Sequence, residues 1–267
     1  MINHTLFILL GDSLDRSLVE SRCRSTPARQ YNREHCAKCL VCDGMASVDG
    51  AMWLNIMLFG VGSQGCYHTD HTWAPLEESR NVTARVRRFL SHALEESPRH
   101  QQVVVQVHSG LWDVFATKAN SLCSTPMPAG MKSFMGPFYN GEWAINVRER
   151  LISPVREIIS ERRPDAKLIW RSMPFLCDHA AFGNDAKLTH FMALASTQGV
   201  LVACIEHLPV WDWRRISCET MTKGMMTDQI HFAMAYYTHF VDALFRGELV
   251  DPCTARQPDC EAVICNR

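Results

Sequence analysis

Five short apolar runs, separated by stretches with helical spacing, constrain the fold of this chain more than any other feature. The runs are rich in Val, Ile, Leu or Phe and cover residues 5–10, 53–59, 103–107, 167–170 and 200–205. Runs of this kind are typical of strands buried on both faces of a parallel sheet. The alternation predicts an α/β fold, a three-layer α/β/α sandwich with a five-stranded parallel sheet.

Helices are predicted between and after these strands, and their apolar stripes cover residues 82–94, 147–159, 182–197 and 229–247. Pro98 closes the first helix and Pro164 closes the second, whereas Pro154 either kinks the second helix or marks a restart. Two long segments have no helical or strand periodicity and are predicted as loops, namely residues 23–49 and 117–139.

Size and composition fit one globular unit. The chain has 267 residues, of which 47% are hydrophobic and 21% are charged. We expect one domain over residues 1–250 and a polar, cysteine-containing tail over residues 251–267. The net charge of −1 gives no general attraction to nucleic acid. No apolar run reaches the roughly 18 to 20 residues that a membrane span needs.

The twelve cysteines favour a compartment in which disulfides form. Few residues precede the first strand, which leaves no room for a secretion signal. We therefore expect a secreted protein if the N-terminus is truncated, and a cytoplasmic one otherwise. Cys36, Cys39 and Cys42 repeat every third residue, so zinc binding helped by His35 is an alternative to disulfides or free thiols. No metal ion or organic cofactor is predicted.

A serine stands directly after the first predicted strand, in Gly11-Asp12-Ser13-Leu14. The next helix should begin there, which places the hydroxyl at the carboxyl edge of the sheet beside free backbone N–H groups. Far downstream, Asp228 and His231 place a carboxylate and an imidazole three residues apart. This set predicts Ser13 as nucleophile, His231 as general base and Asp228 as its orienting acid. Helix capping is the alternative role for Ser13 and Asp228.

Gly11-Asp12-Ser13-Leu14 together with Asp228-x-x-His231 resembles the GDSL, or SGNH, hydrolases over nearly the whole chain. Three segments are most similar to the PC-esterase branch of that superfamily: Gly11 to Arg16, Ser109-Gly110-Leu111-Trp112-Asp113, and Trp170-Arg171-Ser172-Met173-Pro174. That branch includes polysaccharide O-acetyltransferases and esterases. The resemblance implies a flavodoxin-like sheet and an acyl-serine intermediate.

The resemblance also implies an oxyanion hole made by the N–H of Ser13, a glycine N–H after the second strand and an asparagine after the third. Gly60 and Gly62 are both placed to supply the glycine. His108 stands where the asparagine is expected, and it could donate from one ring nitrogen instead. The residues predicted to line the substrate crevice are Asp12, Arg16, Trp112 and Arg171.

The predicted function is therefore an O-acyl esterase or O-acyltransferase that acts on a small-molecule or polysaccharide ester. The acyl chemistry follows from the serine, acid and histidine, whereas acetylated carbohydrate as substrate follows from the resemblance alone. The missing asparagine supports an alternative, a catalytically weak SGNH-fold module that binds glycans or a protein partner. A structural protein tied by cysteines is a third possibility.

Overall fold

The computed structural model describes residues 4–23, 27–31, 36, 38–61, 81–98, 101–118, 141–174, 186–220 and 231–254. Within them lie eight strands: β1 (Thr5–Gly11), β2 (Arg29–Gln30), β3 (Leu40–Cys42), β4 (Met52–Met57), β5 (Gln102–Val107), β6 (Lys167–Arg171), β7 (Val210–Trp211) and β8 (Leu249–Val250). They form one sheet in the order β2-β3-β4-β1-β5-β6-β7-β8.

The five central strands run parallel. β1 pairs with β4 on one side and with β5 on the other, and β6 and β7 follow β5. The outer strands are antiparallel, since β3 pairs with β4, β2 with β3, and β8 with β7. This topology confirms the α/β class and the five parallel strands, and it adds three edge strands. The chain moves to opposite sides of β1 after its first two crossovers, and ligands of such sheets bind beyond the carboxyl ends of the strands at that point.

Two groups of helices form the outer layers. The helices are α1 (Ser13–Arg22), α2 (Val82–Glu96), α3 (Leu111–Lys118), α4 (Glu142–Val147), α5 (Ser153–Arg162), α6 (Ala186–Ile205), α7 (Trp213–Thr220) and α8 (Tyr237–Phe245). α1 packs against α8, whereas α2 packs against α5 and α3 packs against α6. None of the helices in the described residues is long and apolar enough to cross a membrane.

The core is centred on β1, whose seven residues are all buried. Phe7 stacks on Trp53 of the neighbouring β4 with ring centroids 4.2 Å apart. A fully buried central strand gives the turn that follows it, at Gly11 and Asp12, a rigid base.

The fifth predicted strand is wrong, because residues 200–205 form the end of α6. The fifth parallel strand is instead the two-residue β7. A short apolar run fits a buried strand or a buried helix equally well. Here the exposure has the helical period: Leu201 and Ile205, four residues apart, are 55% and 57% exposed, while Val202 and Ala203 are buried.

The helices predicted at residues 82–94 and 147–159 are confirmed. α2 ends at Glu96, shortly before Pro98. A π-helical segment (Arg148–Ile152) joins α4 to α5, and Pro154 lies in the first turn of α5. Because proline has no N–H to donate, the change of helix type at this point accounts for the predicted restart. The helix predicted from Gln229 begins later, with a 3-10 turn (Met234–Tyr236) that leads into α8.

Disulfides tie the periphery to the sheet. Within the described residues, the bonded pairs are Cys23–Cys42, Cys36–Cys39 and Cys204–Cys253. The segment 23–49, predicted as a loop, contains the strands β2 and β3. The Cys23–Cys42 disulfide bonds β3 to the C-cap residue of α1. The zinc alternative for Cys36, Cys39 and Cys42 is wrong, since all three sulfurs are in disulfides. The predicted loop 117–139 lies almost entirely outside the described residues.

Candidate active site

Ser13 is the first residue of α1 and follows the central strand β1. Asp12 caps the helix, because its Oδ1 accepts a hydrogen bond from the Leu14 N–H at 2.9 Å. In return, the Asp12 N–H donates to Asp15 Oδ2 at 3.0 Å, which completes a capping box. Gly11 is required at this turn, since a Cβ there would lie 1.8 Å from Asp15 Oδ2. The turn thus presents the serine at the N-terminal end of a helix.

The structure brings His231 to Ser13. The Nε2 atom of His231 lies 2.9 Å from Ser13 Oγ, although the two residues are 218 positions apart in the chain. The neighbouring Phe232 is buried and anchors this part of the chain in a cluster of aromatic rings, formed with Tyr236, Tyr237 and Phe240. Asp228, the predicted orienting acid, lies outside the described residues.

Four ionisable side chains form a buried cluster beside the capping turn: Asp12, Asp15, His108 and Arg171. The Arg171 Nη2 atom donates to Asp15 Oδ2 at 2.6 Å and to Asp12 Oδ1 at 3.3 Å. His108 Nε2 lies 3.1 Å from Asp12 Oδ2, and His108 Nδ1 lies 2.9 Å from the Arg171 carbonyl oxygen. The cluster therefore joins the start of α1 to the ends of β5 and β6.

The two carboxylates of this cluster have opposite pKa shifts. Burial alone would raise the pKa of Asp12, but Arg171 and His108 hold it well below its ordinary value. Burial raises the pKa of Asp15, and the Asp12 carboxylate adds to that rise against the opposing effect of Arg171. Asp12 is therefore ionised across the physiological pH range, and Asp15 is the carboxyl group more easily protonated.

Gly60 lies on the loop that follows β4. Its φ of +89° favours glycine, and a Cβ there would lie 2.6 Å from Asp113 Oδ1. Asp113 holds this loop, because its Oδ1 accepts from the Val61 N–H at 2.9 Å and its Oδ2 accepts from Ser109 Oγ at 2.7 Å. The loops after β4 and β5 are thus fixed to each other. Gly62, the other glycine predicted for the oxyanion hole, lies outside the described residues.

A small depression opens at the carboxyl ends of β1, β4 and β5. Its lining consists of Gly11, Asp12, Leu58, Gly60, His108, Ser109, Gly110, Leu111 and Trp112. It therefore combines the capping turn with the two loops predicted to supply the oxyanion hole. Trp112 is half-buried here and meets the Phe59 ring edge-on, with centroids 6.1 Å apart.

His108 reaches this depression, but both of its ring nitrogens already face acceptors, the Asp12 carboxylate and the Arg171 carbonyl oxygen. Both ring nitrogens therefore face the cluster that supports the capping turn, and the predicted oxyanion role of His108 stays a prediction.

Arg171 differs from its predicted place in the crevice, whereas the predicted place of Arg16 stays a prediction. The Arg171 side chain is fully buried, with its guanidinium 4.4 Å from the centre of the Trp213 ring, so it has no surface to offer a substrate. Arg16 pairs with Glu20 on the same helix at 2.9 Å. The Trp213 ring that contacts Arg171 is itself fully buried, and so is the neighbouring Trp211.

Asp15 is the residue of this site that the sequence reasoning missed. The spacing Asp12-x-x-Asp15 at the start of a helix fits a capping box with a carboxylate at its third position, and that spacing could have identified it. Its contact with Arg171, 156 residues away, cannot be predicted from a local sequence pattern.

In the described part of the chain, no group of His, Cys, Asp and Glu residues has the arrangement of a metal site. The described groups at Ser13 are its hydroxyl, the His231 imidazole and the backbone N–H groups at the start of α1.

Comparison with known proteins gives structural likeness only. No sequence family and no curated protein matches this chain. It is similar to the structure of an acetylxylan esterase from Geobacillus stearothermophilus, with 14% identity, a TM-score of 0.48, and coverage of 92% of this chain and 95% of that one. A lipase/acylhydrolase from Enterococcus faecalis has 14% identity, a TM-score of 0.46 and coverage of 92% and 98%. A GDSL-like lipase from Bacteroides thetaiotaomicron has 11% identity, a TM-score of 0.46 and coverage of 92% and 87%. Likeness at this level carries no conclusion about activity.

Proposed function

We propose that this chain is a serine-dependent O-acyl esterase of the SGNH type, with Ser13 as nucleophile and His231 as general base. The observation that carries the proposal is the 2.9 Å contact between Ser13 Oγ and His231 Nε2. At this distance the imidazole can take the hydroxyl proton as the oxygen attacks an acyl carbonyl. The position of Ser13 at a helix N-terminus adds a partial positive charge next to the developing oxyanion.

The reaction has two halves. Ser13 Oγ bonds to the carbonyl carbon while its proton passes to His231 Nε2. Collapse of the tetrahedral intermediate breaks the ester C–O bond, and His231 returns the proton to the leaving alkoxide. Water, deprotonated by His231, then attacks the acyl carbon; the C–Oγ bond breaks, His231 returns the proton to Ser13 Oγ, and the carboxylic acid leaves. Asp228 is proposed to orient the imidazole and to stabilise its charged form.

The oxyanion hole is proposed to consist of backbone donors, the N–H groups of Ser13 and Gly60, with Gly62 as the alternative glycine. The geometric support is that Asp113 fixes the Gly60 loop against the loop after β5. A donor aimed at the oxyanion is worth about 100-fold to 1000-fold in rate. With no asparagine after β5, and with the His108 ring nitrogens facing Asp12 and Arg171, we expect slower turnover than a site with all three donors would have.

The proposed substrate is an acetylated carbohydrate or a related ester, and the proposed catalytic domain covers residues 1–250. Support for the carbohydrate comes from the PC-esterase-like segments around Ser13, Trp112 and Arg171. An O-acyltransferase would use the same acyl-serine, with a sugar hydroxyl in place of water as the attacking group.

The test is hydrolysis of p-nitrophenyl acetate and acetylated xylan by the wild type, by Ser13→Ala and by the control Ser21→Ala. Ser21 lies on the same helix and hydrogen-bonds only locally in the described structure, to the Leu18 carbonyl oxygen and Arg22. We expect turnover in the wild type and the control and its loss in Ser13→Ala. Adding xylooligosaccharides as acceptors separates an esterase, which releases acetate, from a transferase, which acetylates the acceptor.

A glycan-binding module is the second candidate, and it is favoured because the expected asparagine is replaced by His108, whose ring nitrogens face Asp12 and Arg171. A folded wild type that binds acetylated xylan but hydrolyses neither ester would support the module and contradict the esterase.

A further inference from the structure

We propose that His108 and Arg171 are positioning residues, two buried cations that fix Ser13 through the carboxylates of Asp12 and Asp15, with His108 held as an imidazolium. This inference rests on the proposed function and assigns to His108 a role other than that of an oxyanion donor. Neither cation touches the reacting atoms in the structure. Each acts on the serine through the capping turn.

The protonation of His108 follows from what its ring faces. The Arg171 carbonyl oxygen, 2.9 Å from Nδ1, can only accept a hydrogen bond, so Nδ1 carries a hydrogen. The carboxylate of Asp12, 3.1 Å from Nε2, is also an acceptor when ionised, so Nε2 carries a hydrogen as well. The side chain is 1% exposed, which leaves no water-facing alternative for either nitrogen. A ring with two N–H groups is an imidazolium.

The charges of the cluster then balance. Asp12 and Asp15 are two carboxylates, and Arg171 and His108 are two cations, all within hydrogen-bond or ion-pair distance of a partner. The Trp213 face adds a favourable contact to the guanidinium, and Trp170 lies beside His108 with ring centroids 5.9 Å apart. When Asp15 is ionised through its 2.6 Å pair with Arg171, a neutral His108 would leave a surplus negative charge, whereas buried charges persist when they are paired.

The cluster controls the geometry of the nucleophile because Asp12 Oδ1 accepts two hydrogen bonds and Asp12 Oδ2 lies at ion-pair distance from His108. Oδ1 accepts from Leu14 N–H and Arg171, and Oδ2 faces His108. Asp15, which follows Ser13 by two residues, accepts a hydrogen bond from the Asp12 N–H. The ends of β5 and β6 therefore hold the residues that flank the serine. If His108 lost its second proton, a lone pair would face Asp12 Oδ2 and the cap would shift.

The test combines a spectroscopic readout with kinetics. Nitrogen-15 NMR of the His108 ring reads its protonation directly, and assignment comes from the loss of the signal in His108→Asn. Steady-state kinetics with p-nitrophenyl acetate separates kcat from KM for His108→Asn, Arg171→Lys and Arg171→Met. Arg163→Met is the matched control, because Arg163 is a buried arginine that binds Ser97 and the Gln101 carbonyl oxygen, away from the site.

We expect two protonated ring nitrogens at neutral pH in the wild type. His108→Asn and Arg171→Met should lower kcat by about 10-fold to 100-fold with KM little changed, as expected for a misplaced nucleophile. Arg171→Lys should retain more activity than Arg171→Met because it keeps the charge. Arg163→Met should lose thermal stability without this fall in kcat, which separates positioning from general destabilisation.

Three results would overturn the inference: a His108 ring with one protonated nitrogen, a folded His108→Asn with wild-type kcat, or a His108→Asn with raised kcat. The last would identify the position as an oxyanion donor. A wild type without turnover would contradict the proposed function instead, and the NMR readout would still decide the protonation of His108. If the Arg171 variants do not fold, His108→Asn and the NMR readout carry the test.

Discussion

The imidazole of His231 and the hydroxyl of Ser13 meet at 2.9 Å, although each is held by a different part of the fold. The serine is placed by a capped helix at the end of the central strand. The histidine is placed by Phe232, which is buried among aromatic rings. Substituting either side chain leaves in place the residues that hold its backbone.

Replacing the base should remove activity without unfolding the protein. His231→Gln keeps a polar side chain of similar reach but cannot accept and return the proton, so we expect kcat to fall by about 100-fold to 10,000-fold. His239→Gln, at an exposed histidine of α8, is the matched control and should keep full activity. Turnover of p-nitrophenyl acetate together with thermal melting gives both readouts. Full activity in folded His231→Gln would contradict the assigned role.

Gly60 and Gly247 allow backbone strain to be separated from damage to the site. Both have positive φ, +89° and +75°, but only at Gly60 would a Cβ meet another group, Asp113. We expect Gly60→Ala to lose about 1–3 kcal/mol of unfolding free energy and most of its activity. Gly247→Ala should lose about 1 kcal/mol and keep its kcat. Denaturant melts and steady-state kinetics measure both, and equal kcat in the two variants would argue against a role for the Gly60 loop.

The opposite pKa shifts of Asp12 and Asp15 predict how the free energy of unfolding changes with pH. The folded-state pKa of Asp12 lies below its unfolded value of 3.8, so its contribution to stability is present above that pH and is lost as the pH falls towards the folded pKa. The raised pKa of Asp15 acts with the opposite sign, and its contribution declines as the pH rises through the folded value.

Asp12→Asn isolates the first of these effects. Removing one partner from this buried cluster should cost about 3–5 kcal/mol at neutral pH. The difference in unfolding free energy between wild type and variant should then narrow as the pH falls below the unfolded value of 3.8 towards the folded pKa of Asp12. Urea melts across this pH range measure the difference. A difference that stays constant would show that Asp12 is not held in its ionised form by the cluster.

The three disulfides in the described residues should contribute different amounts to the free energy of unfolding. In the chain-entropy account the bond that closes the longest loop constrains the unfolded chain most, and the sequence separations are 49 for Cys204–Cys253, 19 for Cys23–Cys42 and 3 for Cys36–Cys39. Paired substitution by alanine should cost about 4, 3 and 2 kcal/mol respectively. Denaturant melts of the three double variants test the order, and a reversed order would show that native packing outweighs loop entropy.

The sequence predicts local features of this fold better than distant ones. β1 and the turn at Ser13 were predictable because an apolar run, a glycine and a capping residue lie next to one another. β7 was not, since two residues are too few to give a pattern, and the apolar end of α6 was mistaken for a strand. The part played by Arg171 depends on contacts with Asp12 and Asp15, 159 and 156 residues away, which only the three-dimensional fold brings together.

The central claim is that Ser13 is an activated nucleophile, and mass spectrometry of a covalent adduct tests it most directly. Wild type and Ser13→Ala would be treated with a fluorophosphonate ester, which reacts covalently with an activated serine, and the modified peptide would be sequenced. We predict a single adduct on Ser13 in the wild type and none in Ser13→Ala. A folded wild type that stays unmodified, or an adduct on another residue, would contradict the assignment of Ser13 as the nucleophile.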